Sequence, residues 1–315
     1  MANLLYTFRG VLIVTPWLLL LLVSDMLLSF LLPLRRFFPR LAYDIASRIA
    51  ASVWLSIQHI FTILNGARIT ISGDALPRGE SAVVVCNHVA WSDFYMVQEL
   101  AVRAGMLGRC RYFAKAQLKK VPFLGWGLWA MGMPLVSREW ARDKGELERV
   151  FEGITRWGFP VWLVSFSEGT RFTPAKHASS RAWCASASRP QPQHLLYPRT
   201  RGFVSTVRHL RAAAPHVAAV YDLTVAYQRA GDFQRAPDMW ATLSRPGLSS
   251  GGPGTYRFHV HVRRFPVGEL PEGEEELAQW LEARWLEKGE WLEEKRKEWN
   301  GSVEWMEVAS GKKEL

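Results

Sequence analysis

The hydrophobic pattern of the chain begins with one long apolar run. Residues 11–34 are almost all apolar, and Asp25 is the only ionisable side chain among them. The run exceeds the roughly 20 residues that an α-helix needs to cross a bilayer, and it is too long for the core of a signal peptide. We therefore predict a membrane-spanning helix that Pro16 and Pro33 kink or end, or else a shallow membrane hairpin that turns near Asp25.

A second apolar stripe with helical spacing covers residues 42–64, where Arg48, Gln58 and His59 interrupt it. Two interpretations of this amphipathic helix stay open. It either lies at the surface of a membrane or forms half of a membrane hairpin, or it packs as an ordinary amphipathic helix on the rest of the protein. We assign residues 1–66 to a set of N-terminal helices that anchor the protein to a membrane.

After residue 66, short apolar strands alternate with amphipathic helices. Strands are predicted over residues 67–72, 83–86, 109–113, 160–166, 216–227 and 256–262. Helices are predicted over residues 93–104, 141–157, 202–213 and 274–299. The polar segment 173–193 has no hydrophobic period and predicts a loop. This alternation predicts an α/β fold, with a mainly parallel sheet flanked by helices in residues 67–270. Residues 271–315 are predicted to form a C-terminal amphipathic helix and tail.

Composition narrows the range of partners. The net charge of +10 and the 15 tryptophans suit an anionic membrane surface or phosphate-bearing substrates. The basic residues are spread along the chain and no nucleic-acid motif accompanies them, so we expect no nucleic-acid partner. Cys86, Cys110 and Cys184 lie far apart without metal-ligand spacing. We therefore expect reduced thiols in a cytosol-facing protein, and no metal site.

Candidate chemistry begins where the predicted strand 83–86 ends. His88 follows this strand closely, and Asp93 comes after four intervening residues, at the predicted start of the next helix. Asp93 can therefore turn back towards His88. A carboxylate that holds one imidazole nitrogen sets the tautomer and leaves the other nitrogen to take a proton. Considered alone, a histidine and an aspartate at this spacing are more often capping or core residues.

A second turn changes this interpretation. Glu168, Gly169, Thr170 and Arg171 follow another strand-like apolar run. Together with His88 and Asp93, they resemble the signature of the glycerophospholipid acyltransferase family, which includes the 1-acyl-sn-glycerol-3-phosphate acyltransferases. Three further blocks resemble the family in the same order, most of all the branch with lysophosphatidate and lysocardiolipin acyltransferases. They are the block with Lys115, Pro122, Gly125, Trp126 and Arg138, the block 195–203 and the block 219–227.

The resemblance implies a membrane-bound enzyme that moves a fatty acyl group from acyl-CoA to the free hydroxyl of a lysophospholipid. Lysophosphatidic acid is the expected acceptor, which gives phosphatidic acid, and lysocardiolipin or lysophosphatidylinositol is the alternative. Acyl-CoA is then a co-substrate, and no cofactor is expected. The expected partners are membrane lipid, acyl-CoA and the lysophospholipid acceptor.

The resemblance also implies roles for individual residues. His88, oriented by Asp93, is the expected base, and backbone N–H groups near the start of the helix that follows His88 are expected to stabilise the oxyanion. The acceptor is expected to bind to the turn from Glu168 through Gly169 and Thr170 to Arg171, and also to Lys115 and Arg138. Without the resemblance, the turn is simply a tight turn with an ion pair, and Arg138 is a surface salt bridge.

Other interpretations stay open. A serine hydrolase would use His88 with a serine nucleophile, but the chain has no Gly-x-Ser-x-Gly motif. A non-catalytic membrane scaffold with the same fold would not need a positioned base. The apolar, glycine-rich tract 121–136 is either core or a surface that enters the membrane or lines a pocket for the acyl chain.

Basic residues on either side of the first apolar run, and near the carboxyl terminus, predict where in the cell the protein lies. Arg35, Arg36 and Arg40 follow the first apolar run, whereas Arg9 alone precedes it, which favours a cytosolic catalytic domain. The pair Lys312-Lys313 near the carboxyl terminus resembles the dilysine retrieval signal of endoplasmic reticulum membrane proteins. We therefore expect a protein of the endoplasmic reticulum membrane.

Overall fold

The computed structural model describes residues 2–121, 124–137, 140–252 and 254–311. Within these residues the helices are α1 (Ala2–Phe30), α2 (Leu32–Phe37), α3 (Pro39–His59), α4 (Asp93–Arg103), α5 (Leu124–Ala130), α6 (Trp140–Trp157), α7 (Pro174–Ser186), α8 (Thr200–Ala213), α9 (Met239–Ser244) and α10 (Glu274–Gly311). The strands are β1 (Ile69–Gly73), β2 (Ser81–Cys86), β3 (Cys110–Tyr112), β4 (Ala114–Lys115), β5 (Leu135–Val136), β6 (Trp162–Phe166), β7 (Val217–Arg229), β8 (Asp232–Phe233) and β9 (Tyr256–Pro266).

The main sheet has the strand order β1-β9-β7-β2-β6-β3, and β8 pairs with β7 at its end. Strand β2 runs parallel to both of its neighbours, β6 and β7, and β3 runs parallel to β6. The pair of β7 and β9 is antiparallel, and β1 runs parallel to β9. The prediction of a mainly parallel sheet flanked by helices is therefore confirmed. The parallel strands place the carboxyl ends of β2 and β6 side by side, at one edge of the sheet.

Helices cover both faces of the sheet, because β2 is apolar on both sides. Ala82, Val84 and Cys86 belong to one hydrophobic core, which includes α3 and α4. Val83 and Val85 face the opposite way and belong to a second core, which includes α6, α8 and α10. A strand that is buried on both faces needs apolar residues at every position rather than at alternate positions. The run of valines in the sequence has this physical origin.

The amphipathic helix predicted over residues 42–64 is α3, which continues into a π-helical turn at Ile60–Leu64. Ala46, Ala50 and Ile57 of α3 lie in the same core as β2. The interpretation of an amphipathic helix packed on the domain is therefore confirmed. The predicted domain boundaries stay predictions.

Helix α1 contains most of the first apolar run, up to Phe30. Its segment Leu4–Phe30 is long and apolar enough to cross a membrane. The helix passes through Pro16 without a break and ends three residues before Pro33, so the predicted helix end near Pro33 is confirmed. Its inner face is docked on the domain at two distant points. At the first, Arg9 donates hydrogen bonds to the Asn65 side chain at 2.7 Å and to the Ser244 carbonyl at 2.8 Å.

The second docking point lies near the other end of α1. Asp25 lies directly against Gly127 of α5, where a Cβ atom would collide with its carboxylate. Large apolar side chains cover the outer face of the helix, among them Leu12, Leu19 and Phe30, which are more than half exposed. Helix α1 therefore follows the domain along one face and presents the other face as an apolar surface.

The described residues of the tract 121–136 belong in part to the core, and a role of this tract at a membrane or in an acyl-chain pocket stays a prediction. Met131 and Met133 are buried in the core, whereas the Trp126 side chain on α5 is about half exposed. Gly125 and Gly127 are buried against neighbouring segments. The described residues of the tract therefore contribute to the core and leave the Trp126 ring partly exposed, next to α1.

The prediction of a loop over residues 173–193 is wrong for its first two thirds, which form α7. The Thr173 hydroxyl caps this helix by accepting a hydrogen bond from the backbone N–H of Lys176 at 3.3 Å, and Pro174 occupies the first turn. Cys184 is buried, and its thiol donates to Oε1 of Gln191 at 3.1 Å in the segment that follows the helix. The helix has little apolar periodicity, so the hydrophobic pattern did not reveal it.

Candidate active site

The imidazole of His88 lies just beyond the end of β2 and is held by Asp93 at the start of α4. The distance from Nδ1 of His88 to Oδ2 of Asp93 is 2.7 Å. An ionised carboxylate only accepts hydrogen bonds, so in the neutral imidazole Nδ1 carries the proton and Nε2 carries the lone pair. The His88 side chain keeps an exposed fraction of 14%, whereas the Asp93 side chain has none. A lone pair on a partly exposed imidazole is the arrangement that a general base requires.

Four donors hold the Asp93 carboxylate in place. Besides His88, the backbone N–H groups of Val89 and Ala90 donate to Oδ2 at 2.7 and 3.0 Å. The phenol of Tyr227 on β7 donates to Oδ1 at 2.6 Å. Burial raises the pKa of Tyr227 well above its usual value, so this phenol remains a donor. The carboxylate therefore has little freedom to rotate, and it fixes the orientation of the imidazole.

The expected oxyanion donors near the start of α4 stay a prediction, and the structure narrows which N–H groups are available. The backbone N–H groups of Val89 and Ala90 are the first ones after His88, and both are bonded to Asp93. They are therefore not available to a developing oxyanion. The local turn uses them to stabilise the buried carboxylate instead.

Two neighbours complete the setting of His88. The ring of Phe166, at the end of β6, stacks on the imidazole with a centroid distance of 4.2 Å and an interplanar angle of 17°. The Asn87 side chain accepts from the Val225 N–H at 2.8 Å and donates to the Val225 carbonyl at 3.1 Å. Asn87 thus bonds to β7 as a further strand residue would, and the chain leaves the sheet at a fixed point just before His88.

The turn after β6 is bonded directly to the backbone of His88. The His88 N–H donates to Oε1 of Glu168 at 3.3 Å, and the Phe172 N–H donates to the His88 carbonyl at 2.7 Å. Burial raises the pKa of the Glu168 carboxyl to about 8, and the N–H groups of His88 and Leu196 offset this only in part. At neutral pH the buried carboxyl is therefore mostly protonated. Glu168 thus ties the turn to His88, and the predicted ion pair within a tight turn is not what holds it.

The rest of the turn faces outward. Gly169 has φ of +69°, a conformation that favours glycine. The Thr170 hydroxyl accepts a hydrogen bond from Nζ of Lys176 at 2.6 Å, and the same ammonium group donates to the Arg171 carbonyl at 3.2 Å. Arg171 is exposed, next to this turn. The structure therefore brings Glu168, Gly169, Thr170 and Arg171 to the same edge of the sheet as His88.

Two further predicted site residues belong to the neighbouring β4–β5 segment. Lys115 is exposed on β4, which pairs with β5, and it lies opposite Val136. Strand β4 follows β3 closely, and Phe113 between them donates to the Val164 carbonyl of β6 at 3.1 Å. Lys115 therefore lies near the carboxyl end of β6. Arg138 falls outside the described residues, as do Lys312 and Lys313.

The sequence alone did not identify Tyr227, Phe166 or Asn87 as part of this site. Tyr227 is 134 positions from Asp93 along the chain and meets it only because β7 pairs with β2. One signal was present in the sequence, because Tyr227 ends a block that resembles the acyltransferases. Asn87 stands next to His88, but its bonds to β7 depend on the order of the strands.

Neither a serine nucleophile nor a metal cluster accompanies the pair in the described part of the chain. There, no serine hydroxyl is hydrogen-bonded to His88, whose side chain bonds to Asp93. Among the same residues, no group of three or more His, Cys, Asp or Glu side chains is placed to hold a metal ion. The arrangement provides one oriented base beside a turn that carries basic side chains.

Comparison with known proteins gives concordant results. The family model described as Acyltransferase matches residues 68–228, and the one described as Acyltransferase C-terminus matches residues 251–307. The chain is 34% identical over 244 residues to 1-acyl-sn-glycerol-3-phosphate acyltransferase 2 of Brassica napus, which covers 76% of this chain and 59% of that protein. It is 30% identical over 270 residues to lysocardiolipin acyltransferase 1 of Gallus gallus, which covers 85% of this chain and 68% of that protein.

The match to the Brassica protein thus spans about three fifths of its length. Among solved structures, the chain is similar to the crystal structure of the 1-acyl-sn-glycerophosphate (LPA) acyltransferase PlsC from Thermotoga maritima. That similarity has a TM-score of 0.47 and 16% sequence identity, and it covers 86% of this chain and 97% of the other.

Proposed function

Because the chain belongs to the acyltransferase family, we propose that it transfers a fatty acyl group from acyl-CoA to the free hydroxyl of a lysophospholipid. The proposed acceptor is lysophosphatidic acid, and the product is phosphatidic acid. The relatives named above include acyltransferases for 1-acyl-sn-glycerol-3-phosphate and for lysocardiolipin. Both are lysophospholipids, which supports this class of acceptor.

The single observation that carries the proposal is the hydrogen bond from His88 to the buried carboxylate of Asp93 at 2.7 Å. It leaves Nε2 of a partly exposed imidazole as a proton acceptor. The turn from Glu168 to Arg171 is bonded to the backbone of the same histidine. A base and a basic turn are thus held in fixed relation, which an acyl transfer to a phosphorylated alcohol requires.

The proposed reaction needs no covalent intermediate on the protein. Nε2 of His88 takes the proton from the acceptor hydroxyl, and the oxygen attacks the thioester carbonyl carbon of acyl-CoA. The tetrahedral intermediate then collapses as the carbon–sulfur bond breaks. The departing sulfur of coenzyme A receives the proton from His88, which regenerates the neutral imidazole. Throughout the cycle, Asp93 stabilises the positive charge that His88 carries briefly.

The acceptor phosphate is proposed to bind near Arg171, whose guanidinium suits a phosphate. Lys115 and Arg138 are proposed to contribute to the same region, from the β4–β5 segment. The apolar tract 121–136 is proposed to admit the acyl chain, because it joins the core to an exposed apolar surface next to α1.

The proposed location is the endoplasmic reticulum membrane, with the catalytic domain on the cytosolic side. Helix α1 supports an association with membranes, since its outer face is apolar and its segment Leu4–Phe30 meets the length requirement for a span. The order of basic residues around the first apolar run supports the cytosolic orientation.

The test is an acyl-transfer assay on membranes that contain the protein. They receive labelled oleoyl-CoA and a panel of lysophospholipids, and the lipid products are separated. We expect labelled phosphatidic acid from the parent protein. The variant His88→Ala should lose at least about 10²-fold in rate, because it lacks the base. The matched control is His59→Ala, which removes an exposed imidazole at the end of α3 and should keep the parent rate.

Each other outcome changes the proposal in a defined way. A single different labelled phospholipid would keep the reaction and move the acceptor, for example to lysocardiolipin or lysophosphatidylinositol. Free fatty acid formed without an acceptor would indicate a hydrolase. No product with any acceptor, from folded protein, would favour the non-catalytic scaffold.

A further inference from the structure

Two basic side chains from other segments of the chain lie against the turn from Glu168 to Arg171. Lys176, in the first turn of α7, donates to the Thr170 hydroxyl at 2.6 Å and to the Arg171 carbonyl at 3.2 Å. Arg199, just before α8, is held by a backbone hydrogen bond from its N–H to the Ser167 carbonyl at 2.7 Å. The two residues come from different segments and lie on different parts of the turn.

The side chain of Arg199 occupies the space that a side chain at position 169 would need. A Cβ atom on Gly169 would lie 3.0 Å from Cδ and 3.1 Å from Nε of Arg199. Glycine at position 169 therefore has two effects. It allows φ of +69°, and it leaves room for the Arg199 side chain to approach the turn. Arg199 is thus seated at this turn by the backbone on one side and by a glycine on the other.

The cations at this turn have no acidic partner among the residues that the structure describes. There, no carboxylate forms an ion pair with Arg171, Lys176 or Arg199. Elsewhere, half-buried arginines on the sheet are paired, as Arg263 is with Asp222 at 2.7 Å and Arg264 is with Glu80 at 2.7 Å. The nearby carboxyl of Glu168 is turned inward, and burial raises its pKa to about 8, so it neutralises little positive charge at pH 7.

We propose that Lys176 and Arg199 make the acceptor site selective for a phosphomonoester, such as the head group of lysophosphatidic acid, over a phosphodiester. This inference rests on the proposed function, and it narrows the acceptor class within it. A phosphomonoester has a second ionisation near pH 6 and carries close to two negative charges at neutral pH. A phosphodiester carries one negative charge and has fewer free oxygens to accept hydrogen bonds.

The hydrogen bond from Lys176 gives Thr170 a defined role in this site. Because the Thr170 oxygen accepts from the ammonium group, its own proton is free to point away from Lys176. The hydroxyl can then donate to a phosphate oxygen, while Lys176 contributes charge at the same point. Arg199 contributes a guanidinium from the Gly169 side, so a phosphate next to Arg171 meets cations on both sides.

The test compares two acceptors that share an oleoyl chain and a glycerol backbone: oleoyl lysophosphatidic acid and oleoyl lysophosphatidylglycerol. Both are presented in the same detergent micelles, with labelled oleoyl-CoA as the donor. Lys176→Gln and Arg199→Gln should each raise the KM for the monoester about tenfold, with little change in kcat, because each removes a charge-assisted hydrogen bond. The KM for the diester should change by less than about threefold.

The pH dependence provides a readout that a purely structural role would not change. The preference of the parent for the monoester should increase between about pH 5.5 and pH 7.5, as the phosphate gains its second charge. In the double variant, Lys176→Gln with Arg199→Gln, this increase should disappear. Comparing the two acceptors cancels the titration of the base, because His88 acts on both.

The matched control is Arg181→Gln on α7, which removes an exposed charge from the same helix and should leave both acceptors unaffected. Equal losses for both acceptors, an equal effect of Arg181→Gln, or an unchanged pH dependence in the double variant would overturn the inference. A parent enzyme that acylates the diester as well as the monoester would also overturn it, while the proposed transfer reaction would stand. No transfer to any acceptor would overturn the proposed function, and this inference with it.

Discussion

Two aspartates in the described part of the chain have completely buried side chains. They differ in whether the side chain paired with the carboxylate reaches solvent. Asp222, within β7, is paired with Nζ of Lys288 at 2.5 Å and with Arg263 at 2.7 Å. Asp93, at the start of α4, is paired with the imidazole of His88 at 2.7 Å. The Lys288 side chain is fully buried, whereas the His88 side chain is partly exposed.

This difference decides which carboxylate can take part in chemistry. Lys288 forms an ion pair with Asp222 and donates a hydrogen bond to the Leu223 carbonyl at 2.5 Å, so both partners of its ammonium group lie in the interior. His88 uses one nitrogen for Asp93 and keeps the other towards the surface. Burial of a carboxylate therefore does not by itself indicate function. A buried carboxylate is a candidate for a functional role when its partner keeps an accessible atom that can accept a proton.

The largest expected effect comes from Asp93→Asn. The amide oxygen can replace Oδ2 as the acceptor for the backbone N–H groups, and the amide nitrogen can face the Tyr227 hydroxyl, so we expect the fold to persist. The variant no longer has the charge that stabilises protonated His88, and the acyl-transfer rate should fall about 10³- to 10⁴-fold. The rate is measured with labelled oleoyl-CoA, and thermal unfolding checks the fold. An active Asp93→Asn protein would contradict the role of the pair.

At Asp222 we expect a loss of stability without a loss of rate. Lys288→Met leaves Asp222 buried with only Arg263 as a partner, and should lower the free energy of unfolding by about 3 kcal/mol. The rate per folded molecule should remain near that of the parent. Denaturant unfolding in detergent micelles measures the stability. Lys297→Met is the control, because Lys297 is exposed on the same helix α10, and it should change stability by less than about 0.5 kcal/mol. A large loss of rate with unchanged stability would contradict the structural role.

Glu168 is another buried carboxyl, and no ion pair to it occurs among the described residues. Burial raises its pKa to about 8, compared with an ordinary value of 4.5. The folded state therefore holds this proton more tightly than the unfolded state. Its contribution to stability is complete below pH 4.5 and is lost as the pH rises through about 8.

The variant Glu168→Gln removes this titration. Between about pH 6 and pH 8.5 the parent should lose about 2 kcal/mol of unfolding free energy more than the variant. Unfolding curves across this pH range measure the difference. Parallel pH profiles for the two proteins would show that the carboxyl is not protonated in the folded state, and would place Glu168 with the ionised carboxylates of Asp93 and Asp222.

The smallest effect is expected from Tyr227→Phe, which removes one of the four donors to Asp93. One hydrogen bond to a charged group is lost, so we expect a cost of about 1 kcal/mol in stability and a rate reduced by roughly tenfold. The same change at Tyr256, which lies on β9 away from Asp93, should reduce the rate far less. Equal effects of the two substitutions on the rate would remove Tyr227 from the support of the base.

The sequence by itself determined the features that depend on short separations along the chain. His88 and Asp93 are separated by four residues at a strand-to-helix turn, so the local backbone geometry is enough to bring them together. The turn from Glu168 to Arg171 was equally visible, because it follows a buried strand. The apolar runs predicted the strands and most helices, since their periods reflect burial on one or on both faces. Helix α7 was not predicted from the hydrophobic pattern, because capping and docking, rather than an apolar period, stabilise it.

Only the tertiary structure decided which distant residues support the site. Tyr227 reaches Asp93, and Asn87 reaches Val225, because β7 lies next to β2 in the sheet. Lys176 and Arg199 meet at one turn because α7 and the start of α8 return to the end of β6. Strand order and helix return are set by the packing of the whole core, where many weak contacts add up. A local sequence pattern does not encode the total of these contacts. The contacts between these distant residues were therefore identified only in the folded structure.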